Sequence, residues 1–89
     1  FLSAWLSLNA KVLVIFNEYE QFETRHGHQL IVEAINRMRP NHASYVEQTA
    51  VGHSNNRYGN IYNAYRWQGG QSQALETAQI MLDWITNQL

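Results

Sequence analysis

Glu20 and His53 are the two side chains of this 89-residue chain that do chemistry together when they meet. A carboxylate on one imidazole nitrogen fixes the tautomer of the ring. It also stabilises the imidazolium formed when the other nitrogen takes a proton. A ring held this way acts as general base towards a hydroxyl nucleophile, then as the acid that protonates a leaving group. Glu18 and Glu23 stand close enough to Glu20 to compete for the role of acid. The serines are Ser3, Ser7, Ser44, Ser54 and Ser72, and none has the Gly-x-Ser-x-Gly surroundings of a nucleophile on a tight turn. Ser54, beside His53, reads as a loop hydroxyl. His26 and His28 are two apart on a predicted helix and point different ways, so they read as surface histidines at a helix start. His42 follows Pro40-Asn41 and reads as a turn residue at the other end of the sheet. No metal site and no cofactor site is expected. Gly69-Gly70 lacks the strand before it and the Lys-Ser/Thr after it that a phosphate cradle has, and reads as a helix-entry turn.

The elements that would position the pair follow from hydrophobic patterning. Val12-Leu13-Val14-Ile15-Phe16 is a continuous apolar run after Lys11, as in a strand covered on both faces, and Asn17 to Gln21 reads as the loop at its end. From Thr24 to Arg39 the period is helical, with Leu30, Ile31, Ala34, Ile35 and Met38 on one face. Thr24 is the expected N-cap and Pro40 the stop. Ala43 to Gln48 is the second predicted strand, which completes one βαβ unit. Thr49 to Gly70 reads as a long polar and aromatic stretch, helical around Ile61 to Arg66, with Tyr58, Tyr62, Tyr65 and Trp67 packing it against the fold. A last helix is predicted from Ser72 to Asn87, with Leu75, Ala78, Leu82 and Ile85 as its apolar stripe. Ser3 to Asn9 reads as the tail of a preceding helix or connector. Functional groups of open α/β sheets gather at the carboxyl ends of the strands. Neighbouring strands lie about 4.8 Å apart, so loops after consecutive strands emerge side by side.

Composition narrows the partners. Hydrophobic content is 45% and charged content 15%, which are globular values. The net charge is −1, and no basic stripe interleaves with aromatics, so nucleic acid is not an expected partner. No cysteine is present, which excludes disulfides, thiol catalysis and cysteine-based zinc sites. No apolar run approaches the roughly 20 residues of a membrane span. Two parallel strands leave their edges open, and two helices cover both faces poorly. More sheet is expected from elsewhere, and the chain reads as a piece of something longer.

The stretch from Val12 to Phe22, with Asn17-Glu18-Tyr19-Glu20 at its centre, resembles the α/β-hydrolase segment in which a strand ends in a Gly-x-x-Asp turn carrying the triad acid. Tyr45-Val46-Glu47 leading to Gly52-His53-Ser54 resembles the family's last strand and its Gly-His loop, and the last helix resembles the family's C-terminal helix. The order, acid before histidine, is also the family's. The likeness runs from about Val12 to Leu89. It implies an α/β fold: the C-terminal strand-helix-strand-helix section of an α/β-hydrolase parallel sheet, incomplete by itself. Residues 1–89 would be the C-terminal part of one domain, with no internal boundary. It further implies a serine hydrolase of esterase or peptidase type, with Glu20 as acid and His53 as base, acting on a small acyl ester or peptide through an acyl-enzyme. The remainder of the domain, upstream of Phe1, would supply the serine and the oxyanion hole, so the 89 residues alone are expected to be inactive. There are two departures. Asn17 replaces the glycine, a residue that tolerates left-handed backbone angles, and Glu20 replaces the aspartate. These motivate a rival expectation, a non-enzymatic α/β binding module or inactive hydrolase-like scaffold.

Overall fold

The first strand, β1 (Val12–Tyr19), reaches three residues beyond its apolar run. In this computed structural model, which describes residues 10–88, it pairs in parallel with β2 (Ala43–Gly52). The ladder runs from Val12↔Ala43 to Asn17↔Gln48 and resumes at Tyr19↔Gly52, so β2 carries two extra residues there. Ala50 takes a left-handed φ of 61° within this bulge. Both strands therefore outlast their predicted ends at Phe16 and Gln48. Polar side chains at the ladder's end are bonded to each other, Gln48 Nε2 donating to Asn17 Oδ1 at 2.8 Å, so polarity there does not mean loop.

Between the strands runs α1 (Arg25–Met38), whose N-cap is Thr24 as expected, its hydroxyl accepting from the Gly27 N–H at 3.0 Å. The C-cap is Arg39, before Pro40, and its N–H bonds the Ile35 carbonyl. Asn36 holds the following turn by accepting from the His42 and Ala43 N–H groups and donating to the Ala43 carbonyl. Arg25 clasps Glu47 on β2 through two bonds of 2.7 and 2.9 Å, and the Tyr45 hydroxyl donates to the same carboxylate at 2.9 Å. That cluster ties the first residue of α1 to the sheet. Of the predicted apolar face of α1, only Ile35 is fully buried; Leu30 and Met38 are exposed.

Beyond β2 the expected strand-helix-strand-helix order gives way to something richer. β3 (Asn56–Arg57) and β4 (Gln71–Ser72) add antiparallel pairs, so the sheet order is β1-β2-β3-β4 with a single parallel pair. Among the described residues the architecture is mixed α/β with three helices, and the sheet is not the all-parallel one expected. The cause is the turn after Gly52. His53-Ser54-Asn55 is a three-residue hairpin loop closed by the Asn55 N–H on the Gly52 carbonyl, with Asn55 left-handed at φ 60°. The short α2 (Ile61–Arg66) lies where helicity was predicted, capped by Asn60. Only Ala64 of α2 is buried; Tyr62, Tyr65 and Trp67 are exposed, contrary to the packing role expected of them.

Tyr58 alone of that aromatic group enters the core, clamped between two glycines. A Cβ at Gly52 would meet its ring at 2.9 Å, and one at Gly70 at 2.7 Å. The last helix, α3 (Ala74–Gln88), starts two residues later than predicted and buries none of its residues. Leu75 is 84% exposed, and Leu82 and Ile85 are also open. Along β1, Val14 and Phe16 are buried on the α1 side, while Leu13 and Ile15 face Met81, Trp84 and Ile85 of α3 across a groove of about 380 Å³. A second groove of about 470 Å³ lies between β1 and α1, lined by Leu13, Val14 and Ile31. Among the described residues nothing pairs with the outer edge of β1. The radius of gyration is 14.4 Å, against about 12 Å for a compact chain of this length. The expected tail of a preceding helix at Ser3 to Asn9 lies outside the described residues.

Candidate functional site

At the carboxyl ends of β1 and β2, the Glu20 carboxylate meets the His53 imidazole. Nδ1 of His53 lies 2.7 Å from Oε1 and 2.9 Å from Oε2 of Glu20. A carboxylate only accepts, so Nδ1 carries the proton and Nε2 of the neutral ring presents its lone pair. Nε2 has no partner among the described residues. The carboxylate is largely covered, its side chain 9% accessible, while that of His53 is 44% accessible. The carboxylate is sheltered and the imidazole reaches out.

Each partner is delivered by a tight turn. The Glu20 N–H bonds the Asn17 carbonyl at 3.0 Å, so the chain bends directly after β1. Glu20 Oε1 also accepts the Phe22 N–H at 2.9 Å, which limits the rotation of the carboxylate. The Phe22 ring stands edge-on to the imidazole, centroids 4.8 Å apart and planes 78° apart. Phe22 thus holds the Glu20 carboxylate through its backbone and flanks the His53 ring with its side chain. Its role was not read from the sequence, where an aromatic two residues past the acid carries no distinct signal.

The competing glutamates are engaged elsewhere. Glu18 Oε1 accepts the Ala50 N–H at 2.7 Å and so pins the bulge in β2. Glu23 reaches His28 Nε2 at 3.1 Å. Glu20 is the carboxylate that meets His53. Asn17 departs from its expected use: it lies within β1, is not among the left-handed residues, and its carboxamide donates to the Gly52 carbonyl at 3.1 Å. It cross-links the two strand ends that a glycine would leave untied. Gly52 likewise owes its identity to the Tyr58 ring and not to a positive φ.

The remaining histidines are placed apart from the pair. His28 Nδ1 faces the Thr24 carbonyl at 2.9 Å and its ring packs edge-on to Phe16 at 5.0 Å. His42 sits in the turn before β2, at the opposite end of the strands. Ser54 is exposed in the His53 hairpin loop. Among the described residues, no three His, Asp or Glu side chains converge as a metal site would require. No helix among them is long and apolar enough to cross a membrane.

Three polar groups shift their titration away from this site. Arg25 holds the Glu47 carboxyl below the usual carboxylate range. Burial, then the bond to Glu47, pushes the Tyr45 phenol up to about 12. The Glu47 carboxylate raises the Arg25 guanidinium in turn. Comparison with known proteins adds no kinship: no protein-family model, no curated protein and no solved structure matches this chain.

Proposed function

We propose that this chain is the C-terminal part of a serine α/β-hydrolase and supplies the acid and base of its catalytic triad. The observation that carries the reading is the contact between Glu20 and His53 at 2.7 and 2.9 Å, made by residues that follow consecutive parallel strands. In this reading Nε2 of His53 takes the proton of a serine hydroxyl as it attacks an ester or amide carbonyl. The imidazolium is stabilised by Glu20 and then protonates the leaving group. Water deacylates the enzyme by the same route. The serine and the oxyanion N–H groups come from a segment preceding Phe1.

That dependence on a further segment agrees with the open edge of β1 and the apolar grooves on its two faces. A strand added at that edge would send alternate side chains into each groove. The same surfaces suit the rival reading, a non-enzymatic module that associates through them, and experiment separates the two. The polypeptide that includes the preceding segment should contain Gly-x-Ser-x-Gly and react with a fluorophosphonate probe. His53→Ala should abolish labelling, and the 89 residues alone should not be labelled. Labelling that survives His53→Ala would refute the assignment.

A further inference from the structure

We infer that Gln48 is the positioning residue for the Glu20–His53 pair, through a closed ring of hydrogen bonds that joins the two turns carrying them. Its importance to the site rests on the hydrolase reading, whereas its geometry does not. Gln48 is buried, 4% exposed, at the last paired position of β2 before the bulge. A buried carboxamide is costly unless all its groups are bonded, and here each is used. One N–H of Nε2 donates to Asn17 Oδ1 at 2.8 Å and the other to Asn55 Oδ1 at 3.0 Å. Oε1 accepts the Thr77 hydroxyl at 2.7 Å and Gln73 Nε2 at 3.3 Å. Asn55 Nδ2 donates back to the Thr77 oxygen at 3.1 Å. Gln48, Asn55 and Thr77 therefore form a triangle in which each donates to the next.

Direction is what makes this ring a positioning device. Because Gln48 presents N–H to Asn17 and Asn55, both must turn their oxygens towards it. Asn17 is then left with Nδ2 facing the Gly52 carbonyl, which it binds at 3.1 Å. That carbonyl also accepts the Asn55 N–H at 3.0 Å. The peptide that enters His53 is gripped from both sides, by the turn that leads to Glu20 and by the turn that closes its own hairpin. Thr77 anchors the ring to α3.

Gln48→Glu tests this. It keeps the length and the acceptor for Thr77 but opposes two acceptors with a carboxylate, so Asn17 must flip and release Gly52. NMR of the chain labelled with ¹⁵N in its imidazoles reads the tautomer of His53. The wild-type chain should show a protonated Nδ1 and a lone-pair Nε2 in the neutral ring. Gln48→Glu should mix the two forms while backbone amide dispersion persists. Thr77→Val opens the triangle from its half-buried corner without adding charge, and should move the same signals in the same direction; this arm decides the matter if Gln48→Glu does not fold. In the polypeptide bearing the nucleophile, Gln48→Glu should lower kcat by about 10²-fold, as misplacement near 1 Å does, with KM little changed. Folded variants with the wild-type His53 tautomer would overturn the inference. An inactive polypeptide whose His53 signals respond as described would instead overturn the hydrolase reading alone.

Discussion

Gly52 precedes His53, and replacing it with alanine tests the packing behind the His53 turn. The new Cβ would lie 2.9 Å from Tyr58 Cε2 and 3.4 Å from Cδ2. The nearer contact is about 0.6–1 Å inside the optimal carbon–carbon separation. Tyr58 has little room to give, because its ring is buried and its other edge occupies the space a Cβ at Gly70 would take. Overpacking of this kind costs about 1–3 kcal/mol. Alanine recovers about 0.4–1 kcal/mol by restricting the unfolded chain, since Gly52 does not use a positive φ. The net expectation is a loss of about 1–2 kcal/mol, which lowers the urea midpoint by about 1 M for an m-value near 1–2 kcal/mol/M. Tyr58→Leu should cost stability by itself yet offset part of the alanine penalty. The double-mutant cycle should therefore show a favourable coupling of about 0.5 kcal/mol or more. A Gly52→Ala chain with an unchanged or higher midpoint would refute the clamp, and with it the account of why glycine precedes His53.

Four other outcomes follow from the same structure. Ala50→Gly removes a left-handed alanine, a strain of about 1–2 kcal/mol, against a glycine entropy cost of about 0.5–1 kcal/mol; urea unfolding should show a gain of up to about 1 kcal/mol. Glu47 titrates below its unfolded value in the native state, so its contribution is present above pH ~4.5 and lost as pH falls through the folded pKa; Arg25→Met should flatten that acid limb of the stability profile. Tyr45, raised to about 12, contributes fully below pH ~10 and loses its contribution as pH rises towards 12, a slope that Tyr45→Phe should remove. Leu75→Gln and Leu82→Gln sit on the exposed face of α3 and should change the free energy of urea unfolding by no more than about 0.5 kcal/mol.

Local signals were enough for some of this. Val12 to Phe16 reads as a strand because five apolar residues in a row leave little else. Thr24 reads as a cap because a threonine hydroxyl before a helical period satisfies a free N–H. Helicity around Ile61 to Arg66 was also expected, and α2 spans those residues. Polar residues misled where the partner was distant in sequence. Asn17 looks like a loop residue until it is seen bonded to Gln48, 31 positions away. The antiparallel β3 and β4 are two residues each, too short to leave a period, and exist because Asn55 turns the chain back on itself.

The sequence by itself determined which residue types end up near the strand termini: a glutamate cluster after one apolar run, and a histidine in a glycine-marked loop past the next strand-like run. Tertiary structure decided which glutamate. Glu18, Glu20 and Glu23 are chemically equivalent, and only their places on β1, on the turn after Asn17 and before α1 send them to the Ala50 N–H, His53 and His28 respectively. It also decided why Gly52 is glycine, since the ring that excludes a side chain there belongs to Tyr58 and fits only because Gly70 also lacks a side chain. Choices between equal chemistries are made by contacts across tens of residues, and those exist only once the chain has folded.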